Sequence, residues 1–135
     1  MPANSKLEIQ SIIEKILLKH GIDLTVRSYY LRLSMRSYMD LIIEKEGNQV
    51  LVGHYYEQAG DLISDPVLAF DYNNGFWHPV RIEQAVGDTV CSLMEDGRRM
   101  IYPDRIKEFM AFQRMFARNI KEQGWLEDGE RIEND

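Results

Sequence analysis

One cysteine, four prolines and no apolar run long enough to span a membrane set the first limits on this 135-residue chain. With Cys91 alone, no disulfide can close within the chain, so stability has to come from packing and a reducing compartment is implied. The opening MPANSKLEIQ lacks the apolar core of a secretory signal, and nothing approaches the roughly 20 apolar residues that cross a bilayer. A cytoplasmic location without membrane attachment is the expectation. No Gly-rich phosphate loop, nucleophile elbow or paired-cysteine zinc spacing occurs, so no cofactor is expected. Basic charge is scarce as well: 16 Lys and Arg stand against 22 Asp and Glu, for a net −6. Glu127 to Asp135 hold five acids and one arginine, so the remaining body sits near −2. An acidic body has no general attraction for phosphate backbones, which disfavours nonspecific nucleic-acid binding.

The composition that is present, 44% hydrophobic and 28% charged, is that of a folded globular domain. Ser5-Lys6-Leu7-Glu8 has capping-box spacing, and Ile9, Ile12, Ile13 and Ile16 recur at helical intervals up to Gly21. A first amphipathic helix over 6–20 follows. From Leu24 to Tyr102 the hydrophobic period changes to two, punctuated by Gly47-Asn48, Asn74-Gly75, Gly87-Asp88 and Asp96-Gly97. Strands are predicted over 26–36, 38–46, 49–57, 66–73, 76–86, 89–95 and 98–102, with Gln58 to Asp65 as the one longer connection. Pro103-Asp104 opens a second helix that Gly124 stops, with Ile106, Phe109, Met110, Phe116, Ala117 and Ile120 on one stripe. The fold class is α+β: an antiparallel β-meander of six or seven strands between a short and a longer helix, both packed on the sheet. Residues 1–126 form one domain, and the acidic segment 127–135 is expected to fray.

His54, Glu57, Asp61 and Asp65 gather one imidazole and three carboxylates around the longer connection. Read chemically, they suit a divalent metal or an acid–base pair. Read structurally, Asp61 and Asp65 build turns and Pro66 starts a bulged or edge strand, while the odd spacing of His54 and Glu57 puts them on opposite strand faces. Tyr55 and the pair Trp77-His78 form a candidate binding surface, although a Trp beside a hairpin turn commonly packs across the strands. Arg27, Arg32 and Arg36 with Tyr29, Tyr30 and Tyr38 would suit a single strand of nucleic acid. Against that reading stand the interleaved Asp40, Glu44 and Glu46. Cys91, inside an apolar run, reads as a core thiol. Phe112 and Met115 fall off the apolar stripe of the second helix and are candidate dimer contacts.

The run His54-Tyr55-Tyr56-Glu57-Gln58, followed by Gly60-Asp61-Leu62 and Asp65-Pro66, resembles a family of small bacterial domains of unknown function. The resemblance continues through Trp77, Pro79-Val80, Gln84 and the helix ending in Gln123-Gly124-Trp125, and covers roughly the last three quarters of the chain. Ala59 departs from the family's usual residue. The resemblance implies a Gram-positive, often plasmid- or phage-associated gene neighbourhood, and it brings no mechanism. Three functions follow as expectations. The first is a non-enzymatic, homodimeric protein-binding module. The second is a metal-dependent hydrolase using His54, Glu57, Asp61 and Asp65. The third is a single-stranded nucleic-acid binder.

Overall fold

The computed structural model describes residues 5–133. The chain runs α1 (Glu8–Lys19), β1 (Ser28–Ser34), β2 (Leu41–Glu46), β3 (Gln49–Gln58), β4 (Asp61–Asn73), β5 (Phe76–Glu83), β6 (Thr89–Val90), β7 (Ser92–Glu95), β8 (Arg98–Ile101), α2 (Pro103–Gln123), α3 (Trp125–Asp128) and β9 (Glu130–Arg131). Seven strands form one antiparallel sheet in the order β6-β5-β4-β3-β2-β1-β9, and β7 and β8 form a separate two-stranded arm. This is the α+β meander expected from the change of period.

The register explains which side is core. Leu31, Ile43, Val52, Leu68 and Ile82 pair in succession across five strands, and all are buried in one cluster with Ile9, Ile13, Ile16 and Leu17 of α1 and Phe109, Phe116 and Ile120 of α2. Both helices therefore cover the same face. The opposite face carries a second row, Tyr30, Glu44, Leu51, Ala69 and Arg81. That is the alternation of a sheet with one face turned to the helices and a mixed polar face turned away.

The helix entry departs from the capping-box expectation. Leu7 occupies the N-cap position and no side chain caps it locally. Instead Gln113, buried on α2, accepts the Ile9 amide at 3.0 Å through Oε1. Its Nε2 donates to Glu8 Oε1 at 2.8 Å. That hydrogen bond, ahead of the nearby Arg114, holds the Glu8 carboxyl below its ordinary range. A tertiary partner has taken the role that Ser5 was expected to fill. On α2 itself Gln113 is buried within the apolar stripe, whereas Ile106 and Met110 reach it only as half-buried residues.

Two further expectations change. The longer connection from Gln58 to Asp65 is part of a β-hairpin: β3 and β4 stay paired out to Gln58 and Asp61, and Ala59 (φ 54°) and Gly60 (φ 88°) make the turn. Both central residues have positive φ, as a type I′ turn requires, but the first is an alanine, so the turn carried no Asn-Gly or Asp-Gly signature. The irregularity lies instead at a bulge between Gly53 and Tyr55. There β4 comes so close that a Cβ on Gly53 would lie 2.2 Å from the Pro66 carbonyl oxygen. The acidic segment also differs from a frayed tail over 127–133. After Gly129, β9 pairs with β1, and the Ile132 amide donates to the Arg32 carbonyl at 2.9 Å.

Replacing Gln113 by alanine leaves the buried Ile9 amide without a partner. Urea unfolding is expected to show a loss of about 1–3 kcal/mol, the cost of one orphaned buried polar group.

Candidate functional site

The residues singled out for chemistry do not converge. His54 points to the helix side. Its Nδ1 lies 3.0 Å from the Asp40 carbonyl oxygen, which can only accept, so Nδ1 carries the proton of that bond. The ring packs between Phe116 (5.6 Å between centroids) and Trp125 (5.8 Å). Glu57 is exposed three residues further along β3, a rise of about 10 Å, and Asp61 is exposed beyond the Ala59-Gly60 turn. Asp65 is half-buried next to the bulge. Among the described residues no group of three His, Cys, Asp or Glu side chains is placed to hold a metal ion.

Tyr55, Trp77 and His78 are likewise on different surfaces. Trp77 is core: its ring packs at a tilt against Phe70, 5.1 Å between centroids, and its amide donates to Gln10 Oε1 at 3.0 Å. His78 is half-buried near Arg99 and Asp71, and burial, with the Arg99 charge second, lowers its pKa. Tyr55 lies on the helix-free side, where burial, followed by the charges of Glu44 and Glu83, pushes its hydroxyl up to about 12. The arginine–tyrosine patch divides too. Tyr29 turns to the core face beside Lys45, where burial pushes its hydroxyl well up. Arg32 is bound to Asp40 at 2.7 Å, and Tyr38 leans on Trp125 at 6.1 Å. Arg27 and Arg36 stay exposed at different sites, Arg36 beside Tyr38 in one hollow and Arg27 beside Tyr72 in another.

Of the two candidate dimer contacts, Phe112 packs on its own core beside Phe116 (6.4 Å), which leaves Met115 as the exposed one at 45%. More exposed apolar side chains appear where the pattern predicted strands over 89–95 and 98–102, the first of which is divided into β6 and β7. Cys91 ends the main sheet: its amide donates to the Val80 carbonyl at 2.8 Å, and its carbonyl accepts the Tyr102 amide at 3.0 Å. The β7–β8 arm that starts there is tied back by Arg99, which donates to Ser92 Oγ (3.0 Å) and pairs with Asp71 (2.8 Å). The arm exposes large apolar side chains on both of its faces, Met94 (53%) and Ile101 (53%) on one and Met100 (48%) on the other, and Tyr102 (41%) follows directly after β8. The sequence did carry a signal for this: the consecutive apolar run Met100-Ile101-Tyr102 before Pro103 breaks strict alternation and so puts apolar side chains on both faces.

By fold, the molecule is a one-sided helix-on-meander α+β domain whose buried Gln10, Lys45, Ser92 and Gln113 are hydrogen-bonded internally, and whose hairpin arm carries a concentration of exposed apolar side chains. The chain belongs to the family described as Domain of unknown function (DUF6908), whose model matches residues 11–126. Comparison with curated proteins and with solved structures found no match.

The Cys91 thiol is buried, and desolvation pushes its pKa up to about 11. The native state thus holds its proton where an unfolded chain, titrating near 9.0, has released it. The thiol's contribution to stability is accordingly expected to fall as pH rises above that value. A thiol-reactive chromophore at mildly alkaline pH is expected to leave the native protein unlabelled and to label it fully once it is unfolded in denaturant.

Proposed function

We propose that this protein is a non-enzymatic interaction module that self-associates through its β7–β8 arm. The observation that carries the reading is the set of three large apolar side chains, Met94, Met100 and Ile101, exposed on a hairpin that has left the main sheet, with exposed Tyr102 at the junction to α2. An isolated two-stranded hairpin is only marginally stable in water, and its free edges offer unpaired backbone groups to another strand. Methionines on such a surface adapt to a partner without a preformed pocket. A second copy satisfies both needs at once, since a two-fold contact lets the same strand edge, with the apolar side chains on either face of it, pair with itself. Exposed Met115 on α2 is available to extend the contact. A cytoplasmic location and a bacterial, mobile-element origin belong to this reading, supported by the lone buried Cys91 and by the family resemblance of the His54–Pro66 segment.

Light scattering coupled to size exclusion is expected to give a mass twice the 15.8 kDa of one chain. The double substitution Met100→Glu, Ile101→Glu is expected to return it to one chain with unchanged far-ultraviolet circular dichroism. A mass of one chain for the unsubstituted protein at every concentration, or a dimer indifferent to the double substitution, contradicts the proposal.

A further inference from the structure

The outer faces of α1 and α2 enclose a groove of about 470 Å³. Its walls hold Lys6 just before α1, Lys15 from α1 and Arg114, Arg118 and Lys121 from α2, against a single carboxylate, Glu8. In a chain of net charge −6 this is a local reversal of sign. Two of the five cations are already neutralised, Lys6 by Glu14 at 2.7 Å and Arg114 by Glu8 at 3.1 Å. Lys15, Arg118 and Lys121 are exposed and have no ion pair among the described residues. The floor between these cationic rows is apolar: Ile12, Ala117 and Leu126. Ala117, the small residue on the α2 wall, keeps the centre open.

We infer that this groove binds a short, acidic, amphipathic helix of a partner protein. The aliphatic stripe of that helix seats on Ile12, Ala117 and Leu126, and its flanking carboxylates meet Lys15 on one side and Arg118 and Lys121 on the other. The dimensions suit this occupant. Arg114 to Lys121 spans seven residues, a rise of about 10 Å, which matches two turns of helix with anchors at i, i+3 or i+4 and i+7. A nucleic acid is a poorer fit, because no aromatic side chain lines the groove to stack a base, and the acidic remainder of the molecule repels a polyanion. The acidic segment of a second copy is also unsuited, because Glu130–Arg131 is already paired as β9 against β1. The groove lies on the helices rather than on the arm, so the inference is independent of self-association.

The test uses the full chain carrying the Met100→Glu, Ile101→Glu substitutions, so that failure of the arm proposal does not affect it. The probe is a fluorescent helical peptide of about fifteen residues, the length at which an isolated helix becomes stable. Leucines form one stripe and glutamates the flanks. Comparison probes are the same peptide with lysines for glutamates and a single-stranded oligothymidine. The expected result is saturable anisotropy with the acidic peptide, weakened by salt, with no binding of the basic one. Amide shifts are expected at Ile12, Ala117 and Leu126. The triple substitution Lys15→Glu, Arg118→Glu, Lys121→Glu, on exposed positions without ion pairs, is expected to weaken binding at least about tenfold. Absence of binding by the acidic peptide overturns the inference. So does binding indifferent to the triple substitution, or tighter binding of the oligothymidine at the same residues.

Discussion

Two buried glutamines, Gln10 and Gln113, fix where every other part of this fold sits. Neither side chain is exposed to solvent. Gln10 accepts the Trp77 amide through Oε1 and donates through Nε2 to the Gly75 carbonyl at 2.8 Å, binding α1 to the β4–β5 turn. Gln113 reaches from α2 to the first turn of α1. Apolar packing alone permits a helix to slide or rotate on a sheet at small cost, because one aliphatic contact replaces another. A buried amide does not permit this, since a shift that breaks its bonds costs the desolvation of both partners, about 1–3 kcal/mol each. The glutamines thereby select one placement of α1 on the sheet and of α2 beside α1. The groove between the helices inherits its width from that placement, and the arm its position, because α2 follows β8 after a single residue.

Much of this architecture was legible in the chain, and the parts that were not share a physical cause. The helices and most strands announced themselves through hydrophobic period, and Asn74-Gly75 and Asp96-Gly97 through residues suited to positive φ. The Ala59-Gly60 turn stayed hidden because alanine rarely adopts the conformation it holds there. Strand β9 is two charged residues long, Glu130-Arg131, and it pairs along the free edge that β1 offers. The glutamines were missed for the opposite reason: a polar residue within a helix reads as solvent-facing, and only the assembled fold supplies the backbone groups that make its burial favourable. The same holds for His54, whose partner is a main-chain carbonyl that no motif encodes.

The candidate chemistry was less legible than the fold because sequence proximity did not become spatial proximity. His54 went under the helices, Glu57 and Asp61 to the end of a hairpin, Trp77 into the core and Cys91 to a strand junction. Even the buried Lys45 is spoken for, its Nζ donating to the Val26 carbonyl at 2.7 Å and lying 4.5 Å from the centre of the Tyr72 ring. Groups that are satisfied in this way specify a structure. Those left with unsatisfied surface, the apolar arm and the cationic walls between the helices, are of the kind that partners recognise.

The dependence of the fold on the glutamine bonds is tested most directly by native-state hydrogen exchange at the Ile9 amide. Amides in the first turn of a helix ordinarily lack an intrahelical partner and exchange quickly. Held by Gln113 in the interior, the Ile9 amide is predicted to exchange only with the global opening that releases the central amides of β3. Exchange at the rate of an ordinary exposed first-turn amide would contradict the account.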